Sequence, residues 1–538
     1  MPKQACDSCR QRKVKCDQLS PTCSPCQLSS LLCSYYKPRR KRGPKPRHQS
    51  LESVGSRQTV QPGDGIPRSL ATPESPVPAE DASRGNESGS ASALNNPVAL
   101  CHQALLSALA AEGITPHETV EACINIYMQS VFPLLPVVCE PTLRSHTSLI
   151  LPSVMAGVTH SQSGWTPESI ALIRLYSLTI SLCALVSHIH PCIRYPQDDT
   201  IPSRFLELSQ ATLRAFADYD ITHPTATSLA IRIFQASCYQ MTGNSCLSWH
   251  KVDEAVRLAI QMQLHDEKSY EGLDFVEATL RRNALRYLYS LDRSNSLLNG
   301  KKQNLNELRL QSFVTTCFDF DERISLLDQN RPENEGCFER HLMMGFQKNY
   351  ELWKHGFGIL FDLDLFLSAN SRASGGRTLD IAQMGSLKQA LLRFSSILDD
   401  VPEFIMSPPT ICNPDRLRET HQRLAFWIQK SNIMLSYYFL QLFVLNRFAA
   451  AELLSLLWLS NDRLSIDWKK TDIAHEVLNL MKAVPLRALH ANGEPGAEKL
   501  RYICATLLEV MQGQESIQGK ETLLWVAGLF VEAKLASV

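Results

Sequence analysis

The spacing of apolar residues beyond position 98 predicts a series of helices. Thr115, Pro116 and Glu118 form the pattern of a capping box with proline at the first helical position. The apolar residues that follow recur at helical spacing, at Val120, Ile124, Tyr127 and Val131. This pattern predicts a helix with one buried face.

Three more helices are predicted downstream. Thr166-Pro167 opens the first of them, and Gly300 is the predicted stop of the last. The second of the three has apolar residues at Trp249, Val252, Val256 and Ala259. The last has apolar residues at Ala284, Leu288 and Leu291. Runs of alternating apolar and polar residues at strand length are scarce, so we predict an all-α body.

The most apolar stretch is expected from Ser431 to Leu459. Asn446, Arg447 and Glu452 interrupt it, and its longest charge-free run is shorter than the roughly 20 residues that a membrane-spanning helix needs. We therefore predict a buried core helix here, and no membrane partner for the chain.

Residues 51–97 differ in composition from the body. They hold few large apolar side chains and are rich in Ser, Pro, Gly and Glu. Such a segment cannot bury enough apolar surface to offset the entropy of ordering, so we predict a disordered linker. Far downstream, apolar and aromatic residues between Glu521 and Ala536 predict the last core helix, with an activation segment as the alternative.

Length and charge divide the chain further. A chain of 538 residues is long enough for two or three domains. Its formal net charge is zero, but residues 1–48 hold 12 Lys and Arg against Asp7 and Asp17, a net of +10 that leaves −10 on the rest. A basic head on an acidic body is typical of a protein that contacts a polyanion with one end.

Six of the 17 cysteines lie within the first 33 residues, at Cys6, Cys9, Cys16, Cys23, Cys26 and Cys33. Each half of this cluster is Cys-x-x-Cys followed by six residues and another Cys. The first residues carry no apolar signal segment, so we expect reduced thiols rather than disulfides. Zinc prefers four such ligands in a tetrahedron, and six thiolates fill two tetrahedra only if two of them bridge.

The segment from Cys6 to Cys33 resembles the fungal zinc binuclear cluster. The resemblance implies a small module of two short helices around two zinc ions, with the first and fourth cysteines bridging. One zinc is then expected on Cys6, Cys9, Cys16 and Cys23, and the other on Cys6, Cys23, Cys26 and Cys33. Because thiolate fills every position, the zinc is expected to be structural rather than catalytic.

Four cations lie between Cys9 and Cys16, at Arg10, Arg12, Lys13 and Lys15, whereas the matching stretch of the second half has none. The resemblance implies that the first helix enters the DNA major groove and reads a CGG-type triplet. By position, Lys13 with Arg12 beside it is expected to contact guanine acceptors, and Arg10 and Lys15 to contact phosphates. The alternative is that these cations form a solvated face of the module and contact no DNA.

A basic tail follows the cluster and includes Arg39, Arg40, Lys41 and Arg42, set among prolines. Prolines keep such a segment extended. We expect it to lie along phosphates or to enter a minor groove, and the same composition suits nuclear import.

Residues 245–302 resemble the middle homology region of fungal transcription factors, and a looser resemblance covers 98–465. The resemblance rests on Trp249, Arg257, Leu264-His265, Glu277, Arg281-Arg282, Tyr289, Asp292-Arg293 and Gly300. It implies an all-helical regulatory domain. For its charged residues from Glu277 to Arg293 we expect an ion-paired helix face rather than a ligand site.

Residues 98–538 show no catalytic motif. They contain no phosphate loop, dinucleotide fingerprint, Gly-x-Ser-x-Gly elbow or His-Glu-x-x-His, so we predict no catalytic residues and no enzyme. His188 and His190 are two residues apart and would point away from each other on a helix. The other 11 cysteines are scattered, as buried small hydrophobic residues would be.

These features and the resemblance predict a nuclear, sequence-specific factor that regulates RNA polymerase II transcription of a fungal metabolic or secondary-metabolite gene cluster. The expected partners are double-stranded DNA, a second copy of the chain, the transcription machinery or co-regulators, and a small-molecule effector. A zinc module for protein contact alone is the alternative, and activation and repression both stay open. The predicted domains are the zinc cluster 1–36, the basic tail 37–50, the linker 51–97, the regulatory domain 98–465 and a C-terminal helical segment 466–538.

Overall fold

The computed structural model describes the helical body and part of the cysteine cluster. The described residues are 6, 9, 15–17, 22–28, 33, 96–147, 166–189, 200–301, 303–305, 325–370, 381–408 and 417–512. The chain divides into two compact units, Met1–Ser83 and Arg84–Val538. The predicted linker up to residue 95 and the predicted helix at 521–536 lie outside the described residues.

Helices, and no strands, make up the regular secondary structure of the described residues, as the sequence predicts. The first unit contains α1 (Ser24–Leu28). The second unit contains α2 (Pro97–Ala111), α3 (Pro116–Ile126), α4 (Glu140–Arg144), α5 (Pro167–Ile189), α6 (Ile201–Ala215), α7 (Ala217–Thr222), α8 (Ala226–Met241), α9 (Ser245–Gln261), α10 (Phe275–Asn299), α11 (Phe338–Asn370), α12 (Ile381–Ser395), α13 (Glu403–Met406), α14 (Leu417–Ala450), α15 (Arg463–Ala483), α16 (Leu486–His490) and α17 (Gly493–Gln512). A π-helical turn, Tyr127–Val131, continues α3, and 3-10 turns lie at Glu267–Tyr270, Pro332–Asn334 and Leu454–Leu457.

The predicted helix boundaries are confirmed. The Thr115 hydroxyl accepts a hydrogen bond from the Glu118 N–H at 3.2 Å, and the Glu118 carboxylate accepts one from the Thr115 N–H at 3.1 Å. α5 begins at Pro167, directly after Thr166. Gly300 follows α10 with a φ of 60°, a left-handed conformation that glycine adopts without strain.

One hydrophobic core runs through the second unit. α5 packs against α6 and α8, α8 also packs against α9, and α11 packs along α14. α11 and α14 approach closely at Gly356, where an added methyl group would lie 2.8 Å from a Leu440 methyl carbon. The core therefore depends on tight contact between long helices.

Two helices of the body are long and apolar enough to cross a membrane by length and composition, α5 and the Thr420–Ala450 part of α14. The bent pair Pro97–Ala111 and Pro116–Val131 passes the same test as a unit. The apolar windows of the two single helices are 78% and 67% buried inside the protein. The predicted core helix after Ser431 is confirmed.

The prediction that the stretch after Ser431 is the most apolar is wrong, because α5 is more apolar. Ser and Thr residues break up the apolar pattern of α5 in the sequence. In the helix their hydroxyls donate to carbonyls of the preceding turn, as Thr179 does to Leu175 at 2.9 Å and Ser181 to Ser177 at 2.6 Å. These bonds let the hydroxyls of Thr179 and Ser181 be buried without loss of a partner.

The last helices form a bundle whose directions follow from three contacts. Ser431 of α14 donates to the Ala488 carbonyl, and Tyr438, two turns later, lies beside Glu476 of α15. Asn446, later still, donates to the Tyr502 hydroxyl of α17 at 3.1 Å. α15 therefore runs antiparallel to α14, and α17 runs parallel to α14. Consequently α15 begins at the end of the bundle where α17 stops, and the predicted boundary at 465 lies within α15.

Candidate metal centre

Four cysteines of the first unit form a buried cluster. Cys6, Cys9, Cys23 and Cys26 have no exposed surface, whereas Cys16 and Cys33 are partly exposed. Cys26 lies within α1, and its N–H donates to the Cys23 carbonyl at 3.0 Å. The Cys9 N–H donates to the Cys6 sulfur at 3.4 Å. These turns bring the sulfurs of each Cys-x-x-Cys pair to the same side.

The distances between these sulfurs fit tetrahedral coordination. Cys6 Sγ lies 3.7 Å from Cys23 Sγ and 3.5 Å from Cys26 Sγ, and Cys9 Sγ lies 3.6 Å from Cys23 Sγ. Zinc–sulfur bonds of about 2.3 Å give a tetrahedron with an edge of about 3.8 Å. A disulfide bond would be about 2.05 Å long. The described cysteines are accordingly free thiols, as predicted.

Each of the six cysteines of the cluster belongs to at least one of two groups that can hold a metal ion. One group is Cys6, Cys9, Cys16 and Cys23, and the other is Cys6, Cys23, Cys26 and Cys33. The sulfur atoms of each group lie within 4.8 Å of one another. Cys6 and Cys23 are common to both groups, so the geometry offers two adjacent metal positions with two shared sulfurs.

The buried sulfurs can ionise together only if a cation lies among them. Burial and the neighbouring thiols raise the pKa of Cys9, Cys23 and Cys26 to about 12. Burial also opposes ionisation of Cys6, but hydrogen bonds from the Cys9 N–H and adjacent thiols bring its pKa down to about 6. Several thiolates this close together repel one another, and a divalent cation among them removes that cost.

The predicted DNA-contacting residues fall mostly outside the described residues. Arg10, Arg12, Lys13, Arg39, Arg40, Lys41 and Arg42 lie there. Lys15 is described, and it is exposed beside Cys16. Asp17, the next residue after Cys16, accepts hydrogen bonds from the Ser24 N–H at 3.1 and 3.2 Å and so links the first half of the cluster to the start of α1.

The charged residues of α10 form ion pairs, as predicted. Arg281 donates to Glu277 at 2.6 Å, and Arg282 pairs with Glu267. Asp292 and Arg293, at 3.0 Å, are both fully buried, so this part of the set lies in the core rather than on an exposed face.

The buried pair at Asp292 anchors the chain after Gly300. Asp292 accepts from the N–H groups of Asn304 at 3.0 Å and Leu305 at 3.2 Å, and Arg293 donates to the Leu305 carbonyl at 2.9 Å. The rings of Tyr289 and Phe357 lie 4.7 and 4.6 Å from the Arg293 guanidinium carbon. The pair therefore fixes a loop, and its burial depends on partners outside α10 that helical spacing does not reveal.

A second buried network was not predicted. Asp220 is fully buried and accepts from Arg232 at 2.7 Å and from Arg174 at 3.3 Å. The two arginines lie on α5 and α8, far apart in the sequence, so the spacing of neighbouring residues does not predict this network. Burial of a charge requires such partners, which makes the network structural.

The remaining cysteines only partly follow the prediction of buried small residues. Cys123, Cys183 and Cys238 are buried, but Cys246 and Cys337 are exposed. Both exposed cysteines lie at helix starts, where few neighbours cover them. For His188, Nδ1 lies 2.7 Å from the Ala184 carbonyl, and burial lowers its pKa. His190 lies outside the described residues.

Comparison with known proteins assigns a domain to each unit. Residues 4–43 match the fungal Zn(2)-Cys(6) binuclear cluster domain, and residues 124–340 match the fungal specific transcription factor domain. A cluster domain of this type binds two zinc ions, and the two groups of cysteines are positioned to hold them.

Curated relatives are similar over about half of this chain. Identity is 26% over 297 residues with the maltose fermentation regulatory protein MAL13 of Saccharomyces cerevisiae, covering 54% of this chain and 49% of that protein. It is 25% over 385 residues with transcription factor tazR of Aspergillus terreus (56% and 60%), and 23% over 317 residues with the citrinin biosynthesis transcriptional activator mrl3 of Monascus ruber (56% and 61%). The matched part thus spans between about half and three fifths of these relatives.

Proposed function

Since this chain belongs to the fungal C6 zinc cluster transcription factors, we propose that its first unit binds duplex DNA and reads a CGG-type triplet. In this proposal the two groups of four cysteines that share Cys6 and Cys23 each hold one zinc ion. Lys13, with Arg12 beside it, contacts the bases. The phosphate contacts come from Arg10, Lys15, Arg39, Arg40, Lys41 and Arg42.

The pair of sulfur groups with two shared members carries the proposal. Six thiolates around two metal ions hold a short segment in one geometry without a hydrophobic core. The metal-bound backbone then fixes the positions of the cations between Cys9 and Cys16. Selective contact with base edges requires side chains that start from fixed positions. Lys15, the described member of that run, is exposed and free to reach a polyanion.

We further propose that the protein acts in the nucleus on RNA polymerase II transcription of a metabolic or secondary-metabolite gene cluster. The names of similar proteins support this choice, since they refer to maltose fermentation, citrinin biosynthesis and an abscisic acid cluster. The helical body acts as the regulatory part, responding to an effector or a co-regulator, and a second copy of the chain completes a DNA-bound dimer. The domain bounds are proposed as 1–36, 37–50, 51–97, 98–465 and 466–538.

The experiment compares Lys13→Ala with Arg40→Ala on a CGG-containing duplex and a scrambled duplex at several salt concentrations. Loss of a guanine contact in Lys13→Ala should cost about 1 to 3 kcal/mol on the CGG duplex and little on the scrambled one. Loss of a phosphate contact in Arg40→Ala should weaken both duplexes alike and reduce the log-log salt slope by about 0.9.

Two outcomes would contradict the proposal at different levels. Equal weakening of both duplexes by Lys13→Ala removes base reading from that residue and makes Arg12 the next residue to test. Absence of any preference of the wild-type protein for the CGG duplex would instead favour a zinc module for protein contact.

A further inference from the structure

Two of the six cysteines keep some exposed surface, and each of these belongs to one group of ligands only. Cys16 and Cys33 are partly exposed, whereas the other four are buried. The first group is Cys6, Cys9, Cys16 and Cys23, and the second group is Cys6, Cys23, Cys26 and Cys33. A chelator has to reach a ligand or the metal from solvent, so we expect it to attack the first group at Cys16.

The residue after Cys16 makes a contact that joins two ligands of the first group. The two carboxylate oxygens of Asp17 accept from the Ser24 N–H at 3.1 and 3.2 Å. Asp17 directly follows Cys16, and Ser24 directly follows Cys23. These hydrogen bonds therefore connect the backbone beside one ligand of the first group to the backbone beside another.

The same contact supplies the start of α1 with an acceptor. Ser24, Pro25 and Cys26 are the first three residues of this helix. The Cys26 N–H donates to the Cys23 carbonyl at 3.0 Å, and Pro25 has no N–H to donate. The Ser24 N–H is the other donor among the three, and Asp17 accepts it. Loss of the carboxylate therefore releases the start of α1 from the chain beside Cys16.

Charge attraction does not explain a carboxylate at this position. Two zinc ions supply four positive charges against six thiolates, so the occupied cluster has a net charge of −2. An acidic side chain next to such a cluster is repelled by it. Asp17 therefore contributes through its hydrogen bonds. The residue after Cys33 is Ser34, which carries no carboxylate, so we expect this contribution to be confined to the first group.

We infer that Asp17 is a positioning residue of the metal centre, and that its hydrogen bonds to Ser24 hold Cys16 and Cys23 closed around the first zinc ion. The inference rests on the proposed occupation of both groups by zinc, and it does not depend on contact with DNA. Without Asp17 the backbone beside Cys16 opens more often, and the rate of attack by a chelator rises with the fraction of time that it is open. The second group keeps its rate of zinc release.

The experiment measures zinc release from the full chain to a chromophoric chelator in two backgrounds that each keep one complete group. Cys33→Ser leaves the first group complete, and Cys16→Ser leaves the second group complete. Asp17→Ala added to Cys33→Ser should speed zinc release about tenfold, as expected for the loss of a hydrogen bond to a charged acceptor on the surface. Asp17→Ala added to Cys16→Ser should change the rate by less than about twofold.

Two control variants in the Cys33→Ser background separate the hydrogen bonds from other effects of substitution. In Asp17→Asn the amide oxygen can still accept from the Ser24 N–H, so the rate should stay within about threefold of the parent. Thr22→Ala changes the same stretch of chain, next to Cys23, and leaves the Asp17 carboxylate in place. It should release zinc at the rate of the parent.

Three results would overturn the inference. The first is an unchanged rate for Asp17→Ala in the Cys33→Ser background, and the second is equal acceleration, or equal loss of zinc, in both backgrounds. The third is release from Asp17→Asn that is as fast as release from Asp17→Ala, because it would show that the charge matters and the hydrogen bonds do not. Native mass spectrometry of the wild type provides the reference. Fewer than two zinc ions per chain would contradict the proposed metal centre itself, and the inference with it.

Discussion

The two units of the chain are held together by different interactions. The described residues of the first unit bury a cluster made of cysteines, whereas the second unit buries a continuous core of aliphatic and aromatic side chains. A short segment without an apolar core folds when metal binds it, and a large helical domain folds by removing apolar surface from water. Dependence on metal and sensitivity to packing should therefore belong to different units.

Removal of zinc is expected to give the largest effect and to be confined to the first unit. A chelator should abolish DNA binding, because structural zinc contributes on the order of 10 kcal/mol or more to folding of such a module. The helical signal and the melting temperature of the body should stay the same, since in the described residues the groups able to hold a metal all lie in the first unit. Circular dichroism and native mass spectrometry of the full chain provide the measurements.

Two serine variants test how the sulfurs are shared. Cys23→Ser should lower the bound zinc below one ion per chain, because Cys23 belongs to both groups. Cys33→Ser should leave about one ion, since Cys33 belongs to one group. Equal zinc loss in the two variants would argue against shared sulfurs. In the chelation experiment, a melting temperature of the body that depends on metal would contradict the assignment of metal dependence to the first unit alone.

Within the body, the largest single effect is expected at the buried carboxylate of Asp292. Asp292→Ala leaves Arg293 buried without its counter-charge and two N–H groups without an acceptor. We expect the free energy of unfolding to fall by about 3 to 5 kcal/mol. Asp364→Ala is the control, because Asp364 pairs with Arg447 on the surface and should cost less than about 1 kcal/mol. Chemical denaturation compares the two, and similar losses would contradict the role of burial.

The sequence predicts the features that depend on local spacing. The capping box at Thr115 and the stop at Gly300 follow from neighbouring residues, and the repeated spacing of cysteines predicts a metal module. Features that need partners from distant helices are not predictable in this way. The burial of Asp292 depends on a loop 12 residues later, and the network at Asp220 joins three helices.

A buried lysine makes the stability of the body depend on pH. Lys499 donates to the Ser436 hydroxyl at 2.8 Å and lies 5.3 Å from the Trp353 ring centre. Burial lowers its pKa from 10.5 to about 8, although nearby Glu498 favours the charged form. Because the unfolded chain binds the proton more tightly, stability from this group is greatest above pH 10.5 and is lost as the pH falls to about 8.

The matched variant for this prediction is Lys499→Met, which keeps most of the side-chain volume and removes the charge. The stability of the wild type relative to Lys499→Met should fall by about 3 kcal/mol between pH 10.5 and pH 7.5. Urea unfolding at several pH values measures this difference. A constant difference across that range would show that the lysine keeps its ordinary pKa in the folded protein.

The smallest expected effects come from two glycines of α11 that lie two residues apart but differ in how closely other side chains approach them. An added Cβ at Gly356 would lie 2.8 Å from Leu440 Cδ1 and 3.0 Å from Phe394 Cε2, so Gly356→Ala requires these side chains, or the helices that carry them, to shift. We expect the free energy of unfolding to fall by about 1 to 3 kcal/mol because of overpacking.

At Gly358 nothing lies within 4 Å of the added atom. Gly358→Ala should therefore stabilise the protein by about 0.5 to 1 kcal/mol, because alanine loses less backbone entropy in a helix. Neither variant should change zinc content or the affinity for DNA, since both act on packing within the body. Opposite signs of the two changes in urea unfolding would place the close approach of α11 and α14 at Gly356, whereas stabilisation by both would mean that the helices have room to spare there.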